Sequence, residues 1–82
     1  MDTFHAIQYI ASRLNKDKVI NWNNFGQYKY YFYYDVVDSR FYQTCTRNDK
    51  MVGVIYCLDK NFLNTVIDTV GIEKLREYYK NS

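Results

Sequence analysis

The chain has 82 residues and a mass of 10.0 kDa, room for one small domain over residues 1–82 and for no second core. Hydrophobic residues make up 48% and charged residues 24%, close to globular averages, which argues against a disordered tail or a membrane protein. Eleven Lys and Arg against nine Asp and Glu leave a formal charge of +2, too balanced for a dedicated nucleic-acid arm.

Apolar residues at Phe4, Ile7, Ile10, Ala11 and Leu14 recur at three- and four-residue spacing and predict a first helix. Asp2 or Thr3 is its expected N-cap, and Asn15, tolerant of the left-handed conformation, its expected close. Residues 15–27, NKDKVINWNNFGQ, show neither period. They read as a structured loop with Val19, Ile20, Trp22 and Phe25 as buried anchors.

Residues 28–37, YKYYFYYDVV, carry bulky β-forming side chains on both strand faces. Tyr28, Tyr30, Phe32, Tyr34 and Val36 share one face, and Tyr31, Tyr33 and Val37 the other; which of them turns inward stays open. Asp38 and Ser39 are expected to form a tight turn into a second strand, residues 41–46, and Arg47 to Lys50 a further turn into a third, MVGVIYC, residues 51–57. Asp59 is the expected N-cap of a second helix, with Leu58 stapled against Leu63. Phe62, Leu63, Val66, Ile67 and Val70 form its apolar face. Gly71 stops it, and Ile72, Leu75, Tyr78 and Tyr79 define a last helix in which Glu73 and Glu77 can pair with Lys74, Arg76 or Lys80. The expected fold class is therefore α+β: a three-stranded antiparallel meander with helices on one face, in the order α-β-β-β-α-α.

The inventory for chemistry is short. His5 is the one histidine, and Cys45 and Cys57 are the two cysteines, which cannot supply the four closely spaced ligands of a structural zinc site. No nucleophile-elbow signature is present, and Gly26, Gly53 and Gly71 are isolated, so no phosphate-cradling loop exists. The expectation is a protein that is not an enzyme, with no catalytic residues, metal or cofactor. A disulfide is not expected, because the hairpin register sets Cys45 opposite residues near 52. With no leader pattern and no run of 18 apolar residues, a reducing, cytoplasmic setting without a membrane is expected.

Ten of the sixteen aromatic residues lie between Trp22 and Tyr42, so the bias is local. A three-stranded sheet covered on one side leaves the other to solvent, and tyrosine suits a contact surface because it offers wide area, few rotamers and a hydroxyl that tolerates water. The expected partner-binding residues are Tyr31, Tyr33 and Tyr42, with Trp22 and Arg40 at the margin; if the other face is the outer one, Tyr30, Phe32 and Tyr34 take their place. The partner is a protein or a second copy of the chain. The alternative is a single-stranded nucleic-acid binder that stacks bases on the same rings and holds phosphates with Lys29, Arg40, Arg47 and Lys50. Asp35, Asp38 and Asp49 among these cations weigh against it.

The α-β-β-β-α order resembles the double-stranded-RNA-binding fold, which would set Asp59, Lys60, Asn61, Phe62 and Leu63 against phosphates. These carry one base and one acid where that family has a lysine cluster, so the RNA role does not transfer. Phe25, Gly26, Gln27 and Tyr28 resemble the aromatic-glycine motif of RNA-recognition strands. Residues 53–79, GVIYCLDKNFLNTVIDTVGIEKLREYY, resemble small proteins of phages and mobile elements from AT-rich Gram-positive bacteria, and the whole layout is similar to that of some anti-CRISPR inhibitors. That resemblance implies a phage-encoded protein that binds and inhibits a host protein. DNA mimicry needs a strongly acidic chain, which this is not.

Overall fold

The computed structural model describes residues 2–81. Helix α1, Thr3–Asn15, begins where the Asp2 carboxylate accepts the His5 backbone N–H, satisfying one of the free donors of the first turn. Its end departs from expectation. Lys16 rather than Asn15 takes the positive φ of 53°, and the Asn15 side chain accepts the Leu58 N–H at 2.7 Å. That bond ties the end of α1 to the segment entering the second helix.

Strands β1, Lys29–Asp35, and β2, Arg40–Thr46, pair antiparallel, with Tyr33 opposite Tyr42 and Phe32 opposite Gln43. The expected tight turn at Asp38 and Ser39 is a four-residue turn, 36–39. Oδ1 of Asp35 accepts the N–H groups of Val37 and Asp38, which ends the strand two residues early, and Ser39 takes a φ of 54°.

The three-stranded meander is not formed. Among the described residues the sheet has two strands and the element order is α-β-β-α-α. Residues 51–57 contribute a single bridge, in which Tyr30 and Cys57 exchange both backbone hydrogen bonds at 2.7 and 2.9 Å. The bridge lies on the edge of β1 away from β2, so the segment crosses the sheet instead of turning back beside β2. Gly53 bends it out of extension with a φ of 81°, and the Tyr56 hydroxyl folds it back by donating to the Asp49 carbonyl and accepting the Met51 N–H.

Helices α2, Phe62–Val70, and α3, Ile72–Lys80, meet at Gly71, whose φ of 97° ends one and starts the other. Asp59 is not the N-cap of α2; its carboxylate accepts the Asn61 N–H in a turn, and the helix begins at Phe62. The cap comes from β2. Gln43 accepts the Leu63 N–H at 2.9 Å and donates to the Lys60 carbonyl at 2.7 Å. On α3, Glu73 pairs with Arg76 at 3.3 Å.

The core joins Ile7, Ile10 and Ala11 of α1, Phe32, Cys57, Phe62 and Val66 of α2, and Leu75 of α3. Each fully buried aliphatic or aromatic side chain contributes about 1.5–3 kcal/mol by leaving water. Phe32 contacts Phe62 at 5.2 Å and Tyr79 at 5.9 Å between ring centroids, and Phe41 contacts Tyr79 edge-on at 5.4 Å. The face of Tyr30, Phe32 and Tyr34 is thus the inner one. Cys45 and Cys57 are free thiols; they flank Tyr30 on opposite edges, about 10 Å apart by strand spacing and beyond disulfide reach.

Candidate protein-interaction surface

The outer face of the hairpin carries Lys29, Tyr31, Tyr33 and Asp35 from β1, and Arg40, Tyr42, Thr44 and Thr46 from β2. Its two ends differ. At the Lys29 end, the loop 16–28 and the segment 47–56 close over it. Lys29 is fully buried, and its Nζ donates to the Asn24 carbonyl at 2.8 Å and the Arg47 carbonyl at 2.6 Å. The Trp22 ring covers it at 5.3 Å from Nζ. Trp22 packs edge-on against Tyr56 at 4.8 Å, and Tyr56 against Tyr31 at 5.3 Å. Two of the expected interface residues, Trp22 and Tyr31, are therefore half-buried members of an internal aromatic cluster.

The loop itself is shaped by its amides. Asn21 Oδ1 accepts the Asn23 N–H, Asn24 Oδ1 accepts the Gly26 N–H, and Gln27 Oε1 accepts the Asn21 N–H. Of the four expected anchors, Ile20 and Trp22 are half-buried, whereas Val19 and Phe25 face solvent. Hydrogen-bonded turns, not apolar burial at all four positions, fix this loop.

At the turn end the outer face is open. Tyr33 stacks on Tyr42 with ring centroids 5.8 Å apart and planes inclined by 30°. Tyr33 is 48% exposed, and Val36 and Val37, in the turn beyond it, are 70% and 89% exposed. The Tyr42 hydroxyl donates to the Asp38 carboxylate at 3.1 Å. That bond, with burial and the Asp38 charge adding to it, raises the Tyr42 phenol above its ordinary value. Arg40 is exposed opposite Asp35. The structure thus brings Tyr33, Tyr42 and Arg40 together at the hairpin turn and adds Val36 and Val37, which read in the sequence as strand residues.

The four cations of the alternative set are dispersed in role. Lys29 is inside, Arg47 donates to the Tyr28 hydroxyl at 2.6 Å, and Lys50 lies 6.0 Å from the Trp22 ring. Arg40, Arg47 and Lys50 remain exposed. Among the described residues no group of three or more His, Cys, Asp or Glu could hold a metal ion, and no helix is long and apolar enough to cross a membrane. Comparison with protein-family models, curated proteins and solved structures finds no match for the chain.

Proposed function

We propose that the protein is an interaction protein that docks on a host protein through its hairpin turn and inhibits it by occlusion. The observation that carries this reading is the Tyr33–Tyr42 stack, with Tyr33 exposed and Tyr42 half-buried, while the same sheet face is covered at its other end. Val36, Val37 and Arg40 extend the stack into a patch with an apolar centre and a charged rim, the composition typical of the core and margin of a protein interface. The resemblance of residues 53–79 to small phage and mobile-element proteins supports a host protein as the target.

Capture from a Gram-positive bacterial lysate, followed by identification of the retained protein, supplies the partner for the test. The Tyr33→Ala, Tyr42→Ala double variant, folded by circular dichroism, is expected to bind that partner at least ~30-fold more weakly, the equivalent of ~2 kcal/mol. Unchanged affinity in the folded variant removes this site. Salt separates the nucleic-acid alternative: oligonucleotide binding weakens steeply between ~50 and ~200 mM salt, whereas an aromatic protein interface responds little.

A further inference from the structure

We propose that residues 53–55 form a strap that closes onto the free edge of β1 in a second state of the fold, pairing Ile55 with Phe32 and Gly53 with Tyr34. The proposal stands independently of the docking reading above. Its basis is a register that the structure begins and then abandons. Tyr30 and Cys57 form a hydrogen-bonded antiparallel pair, and the next positions, Tyr31 and Tyr56, remain in ring contact at 5.3 Å. One residue further the two segments part around a cavity of about 350 Å³. Its lining includes Phe32, Tyr33 and Tyr34 of β1 and Gly53, Val54 and Ile55, the residues that continuation of the same ladder would match, and is completed by Phe4 and Ile7 of α1 and Tyr78 and Tyr79 of α3.

The edge is prepared for a strand. In an antiparallel ribbon successive residues aim their N–H and C=O groups at alternate edges. Tyr30 uses the edge away from β2, so Phe32 and Tyr34 aim there too, and among the described residues neither finds a backbone partner on it. Unpaired edges of this kind are templates for strand addition, and the chain's own segment already lies across the cavity. Closure forms two hydrogen-bonded pairs, four backbone bonds in all. It releases the two bonds that the Tyr56 hydroxyl makes to residues 49 and 51 and the Asp49 N–H bond to the Thr46 hydroxyl, and it shifts Ile55 from its present packing against the core. Val52 is fully exposed and loses no packing on moving.

The straight line from Thr46 to a Gly53 seated opposite Tyr34 is about 19 Å by strand rise and spacing; the chain must also pass over a face of β1, so closure draws the intervening residues, which extend to about 23–25 Å, nearly taut. The hinge is Gly53, whose φ of 81° holds the open arrangement and must become negative in an extended strand. Closure would set Val54 beside Tyr33 and shield that ring.

Hydrogen exchange and nuclear Overhauser spectra of the wild type and Gly53→Ala, each at two protein concentrations, test the strap. The expected result is protection of the Phe32, Tyr34 and Ile55 amides with a Tyr33–Val54 Hα contact. Gly53→Ala should raise that protection about tenfold, because alanine disfavours the left-handed conformation. Unprotected Phe32 and Tyr34 amides in both proteins overturn the proposal, as does protection that grows with concentration, which would place a second copy on the edge. If Gly53→Ala does not fold, the Tyr33→Cys, Val54→Cys variant in a Cys45→Ser background serves instead. The closed pair brings these Cα atoms to about 4.5 Å, within disulfide range. Oxidation to the monomeric disulfide with a native spectrum supports the strap, and failure to oxidise overturns it.

Discussion

The ammonium of Lys29 lies 2.6 Å from the main-chain oxygen of Arg47, eighteen residues further along the chain, and the side chain that carries it has no exposed surface. With the Asn24 oxygen at 2.8 Å as second acceptor, one side chain fastens the loop before β1 to the turn after β2. No carboxylate takes part. The hydrogen bonds and the Trp22 ring face replace the water that burial removes.

Lys29→Met keeps the apolar stem and leaves the Asn24 and Arg47 carbonyls, part-buried on otherwise exposed residues, without their donor; a fully buried group left so costs about 1–3 kcal/mol, and access of water and the relief of a buried charge offset part of this. A net loss of about 1–3 kcal/mol in urea unfolding is expected, with a change in Trp22 fluorescence. An unchanged midpoint would show that the fastening contributes nothing to stability.

Gln43→Ala removes the donor–acceptor pair that β2 lends to the start of α2. Loss of a cap of this kind costs about 1 kcal/mol. Exchange of the Leu63 amide should accelerate more than that of amides in α1, and uniform acceleration would argue against a local capping role.

Acid should loosen α1 first. The His5 backbone N–H, followed by the His5 ring, holds the Asp2 carboxyl below its ordinary value of 3.8. Folding favours the ionised form, so the cap contributes fully above pH 3.8 and is lost as the pH falls through the lowered value. Amide protection at residues 3–6 is expected to fall in that range. Asp2→Asn, which retains a capping oxygen, should remove this pH dependence.

Alkali should act at the opposite side of the core. Burial, with the neighbouring Tyr78 as a smaller cause, pushes the Tyr79 phenol up to about 12 from 10.0. The folded state favours the neutral phenol, so its contribution is complete below pH 10.0 and disappears as the pH rises through about 12. Tyr79→Phe keeps the ring against Phe32 and Phe41 and is expected to weaken the alkaline transition. A transition of the same size in both proteins would place its origin elsewhere.

The parts of the fold legible in the sequence are those set by neighbours in the chain. The spacing of Ile7, Ile10 and Ala11 marks the buried stripe of α1, and Gly71 marks the junction of α2 and α3. The third strand misled because MVGVIYC has strand-forming side chains, whereas its pairing depends on where the segment crosses β1. Lys29 sits in a run of tyrosines as an ordinary outward strand residue would; nothing in a sequence identifies two distant carbonyls as its partners. Gln43 likewise caps a helix nearly twenty positions away. At the candidate surface, strand alternation grouped Tyr31 with Tyr33 but left open which face turns outward; the packing of Phe32 against Phe62 and Tyr79 decides it. Val36 and Val37 were not legible as part of that surface, because β-branched residues read as strand until the Asp35 carboxylate is seen to close the turn.

Tyr30 stands between two sulfur atoms of unlike accessibility: Cys45 is exposed, while Cys57 is wholly enclosed and burial raises its thiol pKa. The molecule therefore carries its own pair of chemical reporters. An alkylating reagent would modify the first on contact and reach the second only as often as the interior opens, so one mass spectrum taken over time reads out surface reactivity and global unfolding together.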